Sequence, residues 1–276
     1  MNVRQLLESA TARLSNSPSA LPDAEILLCH ALGVKRSFLY ANPGQEVPSR
    51  RRGEFLRLVR SRVRGTPIAY ITGRRAFWTL DLLVTPAVLI PRAETELLVE
   101  TALDRLRADI PLRVADLGTG CGAIALSLAK ERPRWEMHAT DISSDALQVA
   151  RLNASRHGLE HVVFHLGSWT RPLHGPFDLI VSNPPYVGLS DPHLQQGDLR
   201  FEPRLALSPG KDGLDAIRQI ALESGAALAD YGYLLVEHGH DQGRAVRSIF
   251  ESGGLSGIHT IHDLAGLERA CIGRKA

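Results

Sequence analysis

The sequence predicts an α/β protein, in which a parallel sheet with helices on both faces follows a small helical region and a β-hairpin. Three observations predict it. From Glu94 onward, short apolar runs of strand length alternate with amphipathic stretches of helical length. A glycine turn, Gly118-Thr119-Gly120-Cys121-Gly122, joins one such run to the stretch after it. Before residue 73 the apolar residues recur at helical spacing only.

Taken in order, Val3 to Leu14 places Leu6, Leu7, Ala10 and Leu14 on one helical face. Leu21 to Leu32 opens on Pro22 and Asp23, good first-turn residues, and stops at Gly33. Pro48 to Val63 turns Phe55, Leu56, Val59 and Val63 inward and Arg50, Arg51, Arg52, Arg57, Arg60 and Arg64 outward. Pro67 to Gly73 reads as one more helical turn. Between Phe77 and Val84 the period changes to alternation, with Trp78, Leu80, Leu82 and Val84 on one face. Arg75 to Leu89 therefore reads as a β-hairpin, within a linker over residues 74–92. The expected domains are thus 1–73, helical, and 93–276, α/β.

In the second domain, helices are expected over Thr95–Asp109, Ala123–Arg132, Ser144–Gly158, Asp215–Leu228 and Asp241–Gly253. Strands are expected over Arg113–Leu117, Glu136–Asp141, Val162–Leu166, Phe177–Ser182, Tyr233–Glu237, Gly257–His262 and Arg269–Ile272. Such alternation implies a parallel sheet.

Bulk properties narrow the function classes. The 276 residues carry 44% hydrophobic and 22% charged residues, an ordinary globular balance. No run is long enough to span a membrane, and Met1-Asn2-Val3-Arg4 opens no signal peptide. Cys29, Cys121 and Cys271 are too few and too scattered for a disulfide framework or a zinc cluster, which points to the cytoplasm. Net charge is +2, but residues 1–73 hold 11 Lys and Arg against 5 Asp and Glu, so the front is basic and the rest mildly acidic. Such a front suits an acidic or RNA-rich partner; charge alone favours a solvated helix face.

Two segments carry chemistry. The first runs from Val114 through Asp116 to Gly122. Its glycines allow a sharp turn and close backbone approach to a ligand. About 20 residues on, where such sites place an acid for a ribose diol, stands Asp141. Two ligands compete, a dinucleotide and S-adenosylmethionine. The glycine spacing differs from G-x-G-x-x-G, and the Asp116 carboxylate would repel a pyrophosphate. It suits an ammonium and a sulfonium instead, which favours S-adenosylmethionine. Cys121 is expected to serve through its backbone and small size.

The second segment is Asn183-Pro184-Pro185-Tyr186, at the end of an expected parallel strand, where α/β sheets bind ligands. The Asn183 side-chain carbonyl can accept from an NH2 group. Pro184 lacks an N–H but offers a carbonyl, which Pro185 holds extended. Tyr186 offers a flat face for a planar group. Two acceptors converging on one NH2 raise electron density on a delocalised nitrogen and aim it at a methyl donor. An amide and an adenine satisfy this equally. Of the remaining candidates, Arg92 and Glu94 read as an ordinary ion pair and His193 as an exposed loop residue. Glu237-His238-Gly239-His240 lacks metal-site spacing and ends a strand, with Glu237 in a structural hydrogen bond.

These residues resemble the PrmC/HemK family, the protein-(glutamine-N5) methyltransferases of bacterial peptide chain release factors. The resemblance covers nearly the whole chain. It includes Asp23 to Leu28, Pro67 to Gly73, Phe77-Trp78, Ile90 to Glu96, Ser182 to Tyr186, Asp191 to Asp198 and Arg200 to Pro203. It implies a Rossmann-like, seven-stranded class I methyltransferase domain behind a helical substrate-docking domain. It implies transfer from S-adenosylmethionine, without a metal, to the glutamine of the Gly-Gly-Gln motif in class I release factors. Gly118 to Gly122, Asp141, Trp169 and Asn183 match the family's cofactor positions, and Asn183 to Tyr186 its glutamine-binding positions. Ala93 replaces the usual Pro, which relaxes a turn. Ser168 replaces the usual Asp before the tryptophan; it can still accept from the adenine amino group, without charge. Two other readings use the same loop: adenine-N6 methylation of nucleic acid, and a non-catalytic cofactor-binding adaptor. The first needs base flipping and a DNA-reading region, and the front shows no such motif. The second has no use for Asn-Pro-Pro-Tyr. A monomer is expected, with neither a stable nucleic-acid complex nor membrane contact.

Overall fold

The computed structural model describes residues 1–189, 197–207 and 212–276. His193 and the stretch Asp191 to Gln196 lie outside the described residues. The chain forms two compact units, one of residues 1–74 with 197–201, the other of 75–196 with 202–276.

The first unit holds five helices: α1 (Val3–Arg13), α2 (Ala20–Leu32), α3 (Arg36–Ala41), α4 (Ser49–Val63) and α5 (Ile68–Thr72). Asn2 and Gln5 cap α1 reciprocally, satisfying two backbone donors that the first turn leaves open. Gly33, at φ 71°, ends α2 in the left-handed conformation. Leu6, Leu27, Leu28, Phe55 and Val59 are buried together. Helix α3 had no forecast in the sequence: its six residues bury only Leu39, too few for a period to show. Arg62 points inward, unlike the exposed Arg50, Arg57, Arg60 and Arg64 of the same helix and its end. Its Nε donates to buried Asp23 at 2.8 Å and its Nη1 to Asp198 at 3.0 Å. Residues 197–201 thereby complete a unit otherwise made from the N-terminus.

The second unit opens on a hairpin of β1 (Arg74–Phe77) and β2 (Leu80–Leu83), shorter than the alternation suggested. Trp78 turns it at φ 53°, held by its amide on Glu96 and its indole N–H on Glu131. After a 3-10 turn (Ala93–Thr95) come α6 (Glu96–Arg105), β3 (Arg113–Leu117), α7 (Ala123–Glu131), β4 (Glu136–Asp141), α8 (Ser144–Arg156), β5 (Val163–Leu166) and β6 (Phe177–Ser182). Then follow α9 (Asp215–Ala227), β7 (Leu228–Glu237), α10 (Gly243–Ser252), β8 (Leu255–His262) and β9 (Glu268–Lys275).

The sheet runs β5-β4-β3-β6-β7-β9-β8. It is not wholly parallel, as the alternation implied: β9 lies antiparallel to both β7 and β8. Only a short turn, closed by Asp263 accepting from the Ala265 and Leu267 amides, joins β8 to β9, and a parallel crossover needs a dozen residues or more. Ala115, Leu117, Ile180, Leu234 and Val236 cluster with Ile217, Ile220, Val246 and Phe250 of α9 and α10. The alternate residues Val114, Leu179 and Val181 are equally buried, as strands covered on both faces require.

Chain order reverses at β3, whose neighbours are β4 on one side and β6 on the other. That is where sheets of this kind open a crevice at their C-terminal ends. Leu117 pairs with Ser182 in register, and the Ser182 hydroxyl donates to the Leu117 carbonyl at 2.7 Å. Fully buried Asn153 of α8 braces the crevice from behind. Its side chain bonds both backbone groups of Leu83 and the Cys121 carbonyl, tying the hairpin to the glycine turn.

Asp116 lies wholly buried beneath that turn, accepting from the Thr119 hydroxyl at 2.6 Å and the Ala125 amide at 3.2 Å. Burial pushes its carboxyl up to about 7, against those two hydrogen bonds and with the neighbouring charge of Asp141. The folded protein therefore holds this proton more tightly than the unfolded chain does. The corresponding stability is full below about pH 4 and is lost as pH rises through about 7. Thermal midpoints of the ligand-free protein should fall over that interval, and Asp116→Asn should flatten the fall. Asn153→Ala should lower unfolding free energy by on the order of 3 kcal/mol in urea titration, since it strands buried backbone groups.

Candidate active site

A cavity of about 570 Å³ opens at the crevice, walled by Gly118 to Cys121, Asp141, Ser168, Trp169, Asn183 and Pro185. The structure thus brings most of the expected site residues to one place. Asp116, Gly122, Pro184 and Tyr186 stand off its walls. The Asp116 carboxylate sits under the turn, with one oxygen bonded to Thr119 and Ala125 and the other buried without a hydrogen bond.

The turn has a physical basis. Gly118, Gly120 and Gly122 adopt φ values of 72°, 57° and 88°, which L side chains rarely adopt. A Cβ on Gly122 would meet Leu126 at 2.9 Å, so this glycine lets the turn run tightly into α7. The Gly118 and Thr119 amides donate to the Thr140 carbonyl, and the Gly120 amide to Asp141 Oδ2 at 2.9 Å. Asp141 Oδ1 takes the Ser143 amide at 2.9 Å, so both oxygens are fixed yet keep lone pairs toward the cavity. Burial raises its pKa, against the amide bonds that it accepts. Trp169 holds a left-handed backbone at φ 48°, a strain of about 1–3 kcal/mol in a non-glycine residue. Glu223 anchors the next two residues by bonds to Thr170 and Arg171. Cys121 is buried, and burial pushes its thiol up to about 12, so it carries no thiolate near neutrality.

The loop after β6 is held at several points. Asn183 Nδ2 donates to Thr95 Oγ1 at 2.9 Å. The Tyr186 hydroxyl donates to Glu237 Oε1 at 3.0 Å, and Gln242 Nε2 to the Tyr186 carbonyl at 3.0 Å. Burial, then the Glu237 charge, drives the tyrosine pKa up, so it stays a donor. Glu237 is fully buried, and burial pushes it up to about 7. Arg92 pairs with buried Glu202, which also accepts from the Ile90 amide, and not with Glu94 as the sequence suggested. Glu202 lies more than a hundred residues along, beyond the reach of a local pattern. Thr95, Ile142, Arg171 and Gln219 also line the cavity and carried no role in the sequence reading. Thr95 lies within the stretch Ile90 to Glu96 and Ile142 adjoins Asp141; Arg171 and Gln219 gave no signal.

Two family models match: the PrmC N-terminal domain over residues 5–73 and the methyltransferase small domain over 93–195. Among solved structures, a methyltransferase from Pyrococcus furiosus aligns with TM-score 0.55 and 18% identity, over 73% of this chain and 91% of that one. A 16S rRNA N2 G1207 methyltransferase of Thermus thermophilus, in complex with AdoMet and guanosine, aligns with TM-score 0.53 and 17% identity, over 74% and 50%. Both establish the fold alone. The release factor glutamine methyltransferase of Xylella fastidiosa is 52% identical over 98% of this chain and 96% of that protein. Those of Pseudomonas aeruginosa, at 50% over 96% of each, and Escherichia coli, at 44% over 99% of each, agree. With identity this high over nearly its full length, the chain belongs to the release factor glutamine methyltransferase family.

Proposed function

We propose that this protein transfers a methyl group from S-adenosylmethionine to the side-chain amide nitrogen (N5) of the glutamine in the Gly-Gly-Gln motif of class I peptide chain release factors. The observation that carries the proposal is the single cavity shared by the glycine turn, Asp141 and Asn183. A donor-binding turn and an amide-accepting loop that open on one space can bring donor and acceptor into line.

The residues present fit the cofactor. Gly118 to Cys121 leave backbone open to the cavity, Asp141 suits the ribose diol, and Trp169 with Ser168 suits the adenine. When bound, S-adenosylmethionine supplies an electrophilic methyl on a sulfonium. The protein's part is positioning. Asn183 Oδ1 and the Pro184 carbonyl take the two amide hydrogens, which concentrates electron density on nitrogen. No strong base is required, because the proton can leave after transfer. Pro185 keeps the preceding residue extended, and Tyr186 fastens the loop through Glu237.

In this reading the helical unit docks the release factor through the exposed Arg50, Arg57, Arg60 and Arg64. The enzyme acts as a cytoplasmic monomer that needs neither a metal nor a stable nucleic-acid complex. The three free cysteines agree with a reducing compartment. No helix of the described residues is long and apolar enough to cross a membrane.

Labelled S-adenosylmethionine should mark a release factor but neither its Gly-Gly-Gln glutamine-to-alanine variant nor DNA; label on DNA, or on both factors equally, would sink the proposal. Asn183→Ala should keep cofactor affinity by calorimetry and lose about 100-fold or more in turnover. Reversing Arg57 and Arg60 to Glu should raise KM for the release factor and leave kcat nearly unchanged; an unaltered KM would leave these arginines as a solvated face.

A further inference from the structure

We propose that Thr95 and Glu237 form a hydrogen-bond relay that decides which end of the Asn183 amide faces the substrate, making both of them positioning residues for methyl transfer. The inference rests on the acceptor-loop reading above and goes beyond it.

An asparagine has two ends of nearly equal shape, and only the oxygen can accept a substrate N–H. Asn183 must therefore be held one way round. Its Nδ2 donates to Thr95 Oγ1 at 2.9 Å, which leaves Oδ1 for the cavity. Thr95 is 4% exposed, at the cavity wall. Having accepted from Asn183, it has one proton to give; the Glu237 carboxyl is near enough for this hydroxyl to favour its ionised form, although no hydrogen bond joins Thr95 to its Oε2 in the structure. Glu237 is 2% exposed; its Oε1 takes the Tyr186 hydroxyl, and its buried Oε2 holds no hydrogen bond. That open oxygen is the natural terminus for the Thr95 proton. Donors then run inward from both ends of the loop: Asn183 to Thr95 to Glu237 on one side, and Tyr186 to Glu237 on the other.

The backbone between these ends is fixed independently. Gln242 Nε2 holds the Tyr186 carbonyl, while its own Oε1 takes the Gly239 amide at 2.8 Å. Gly213, at φ 75°, lets this happen: a Cβ there would lie 2.2 Å from the Tyr186 oxygen. With the loop clamped, the Asn183 amide orientation is the remaining freedom.

The relay runs this way only with Glu237 ionised. A protonated carboxyl must donate its own proton. Given to Thr95, it sends the threonine proton toward Asn183, and the amide turns its oxygen away from the substrate. Charged groups facing the carboxyl are Glu94, which favours the proton, and Arg269, which opposes it; Arg92 and Arg269 face Tyr186. Burial is the largest influence and holds Glu237 at about 7. The productive form is therefore lost as pH falls through about 7.

The test compares wild type with Thr95→Val, Thr95→Ser and Glu237→Gln, using a release factor as methyl acceptor. Cofactor affinity serves as the check on folding. Thr95→Val should lose about tenfold or more in kcat with cofactor Kd unchanged within about twofold, and Thr95→Ser should recover most of it. Glu237→Gln should lower kcat and abolish the acid limb near pH 7 of the wild-type profile. Wild-type activity in Thr95→Val, or an acid limb that persists in Glu237→Gln, overturns the relay. The side-chain 15N resonance of Asn183 reads the same event without turnover. It should titrate near pH 7 in wild type and not in Glu237→Gln; a resonance that ignores pH in wild type overturns the relay too. A wild type that leaves the release factor unlabelled would defeat the functional proposal, while the resonance would still decide the relay.

Discussion

Everything in the catalytic unit depends on the register of β3 against β6. Leu117 lies opposite Ser182, so the two strands end level and release their loops side by side. One loop begins at Gly118 and the other at Asn183. A slip of one residue would exchange the two strand faces and set Ala115 and Ile180, both fully buried, against the helices that now pack on Val114 and Leu179. Burial on both faces fixes the register, and the register fixes the separation of the two halves of the chemistry. The Ser182 hydroxyl on the Leu117 carbonyl ties the strands where the ladder ends.

Each loop stands on a buried carboxyl. Asp116 lies under the glycine turn and Glu237 under the acceptor loop, and neither lines the cavity. Both are raised to about 7 chiefly by burial. A buried acid costs stability unless its oxygens are bonded, yet it holds hydroxyl and amide donors more firmly than a neutral acceptor would. Asp116 draws in Thr119 and Ala125; Glu237 draws in Tyr186. The ligand-facing surface is thus built mostly of backbone and neutral groups, with ionisable anchors one layer behind.

Much of this was legible in the sequence, for identifiable reasons. Strands β3, β4 and β6 end where the composition changes abruptly, at Gly118, at Asp141-Ile142-Ser143 and at Asn183-Pro184, so their bounds followed from local chemistry. The glycine turn and the acceptor loop were each readable because their residue types are unusual in combination. What escaped depends on contacts distant in sequence. Glu202 meets Arg92 across 110 residues, and Glu237 meets Tyr186 across 51. The charge of Asp116 is legible in the sequence, but not the side of the turn on which it lies. The reversal of β9 does not show in helix–strand alternation; it follows from the short turn without a helix between β8 and β9.

The helical unit is discontinuous in sequence: Arg62 of α4 is bonded to Asp23 from the N-terminus and to Asp198 from far downstream. During synthesis α1 to α5 emerge long before residue 198, and until then this largely buried guanidinium faces one carboxylate where the finished protein gives it two. The N-terminal helices can collapse early around Phe55, but their last ion pair waits on a strand-rich region that must itself be made first. The completion of the small unit is therefore timed by the translation of the large one.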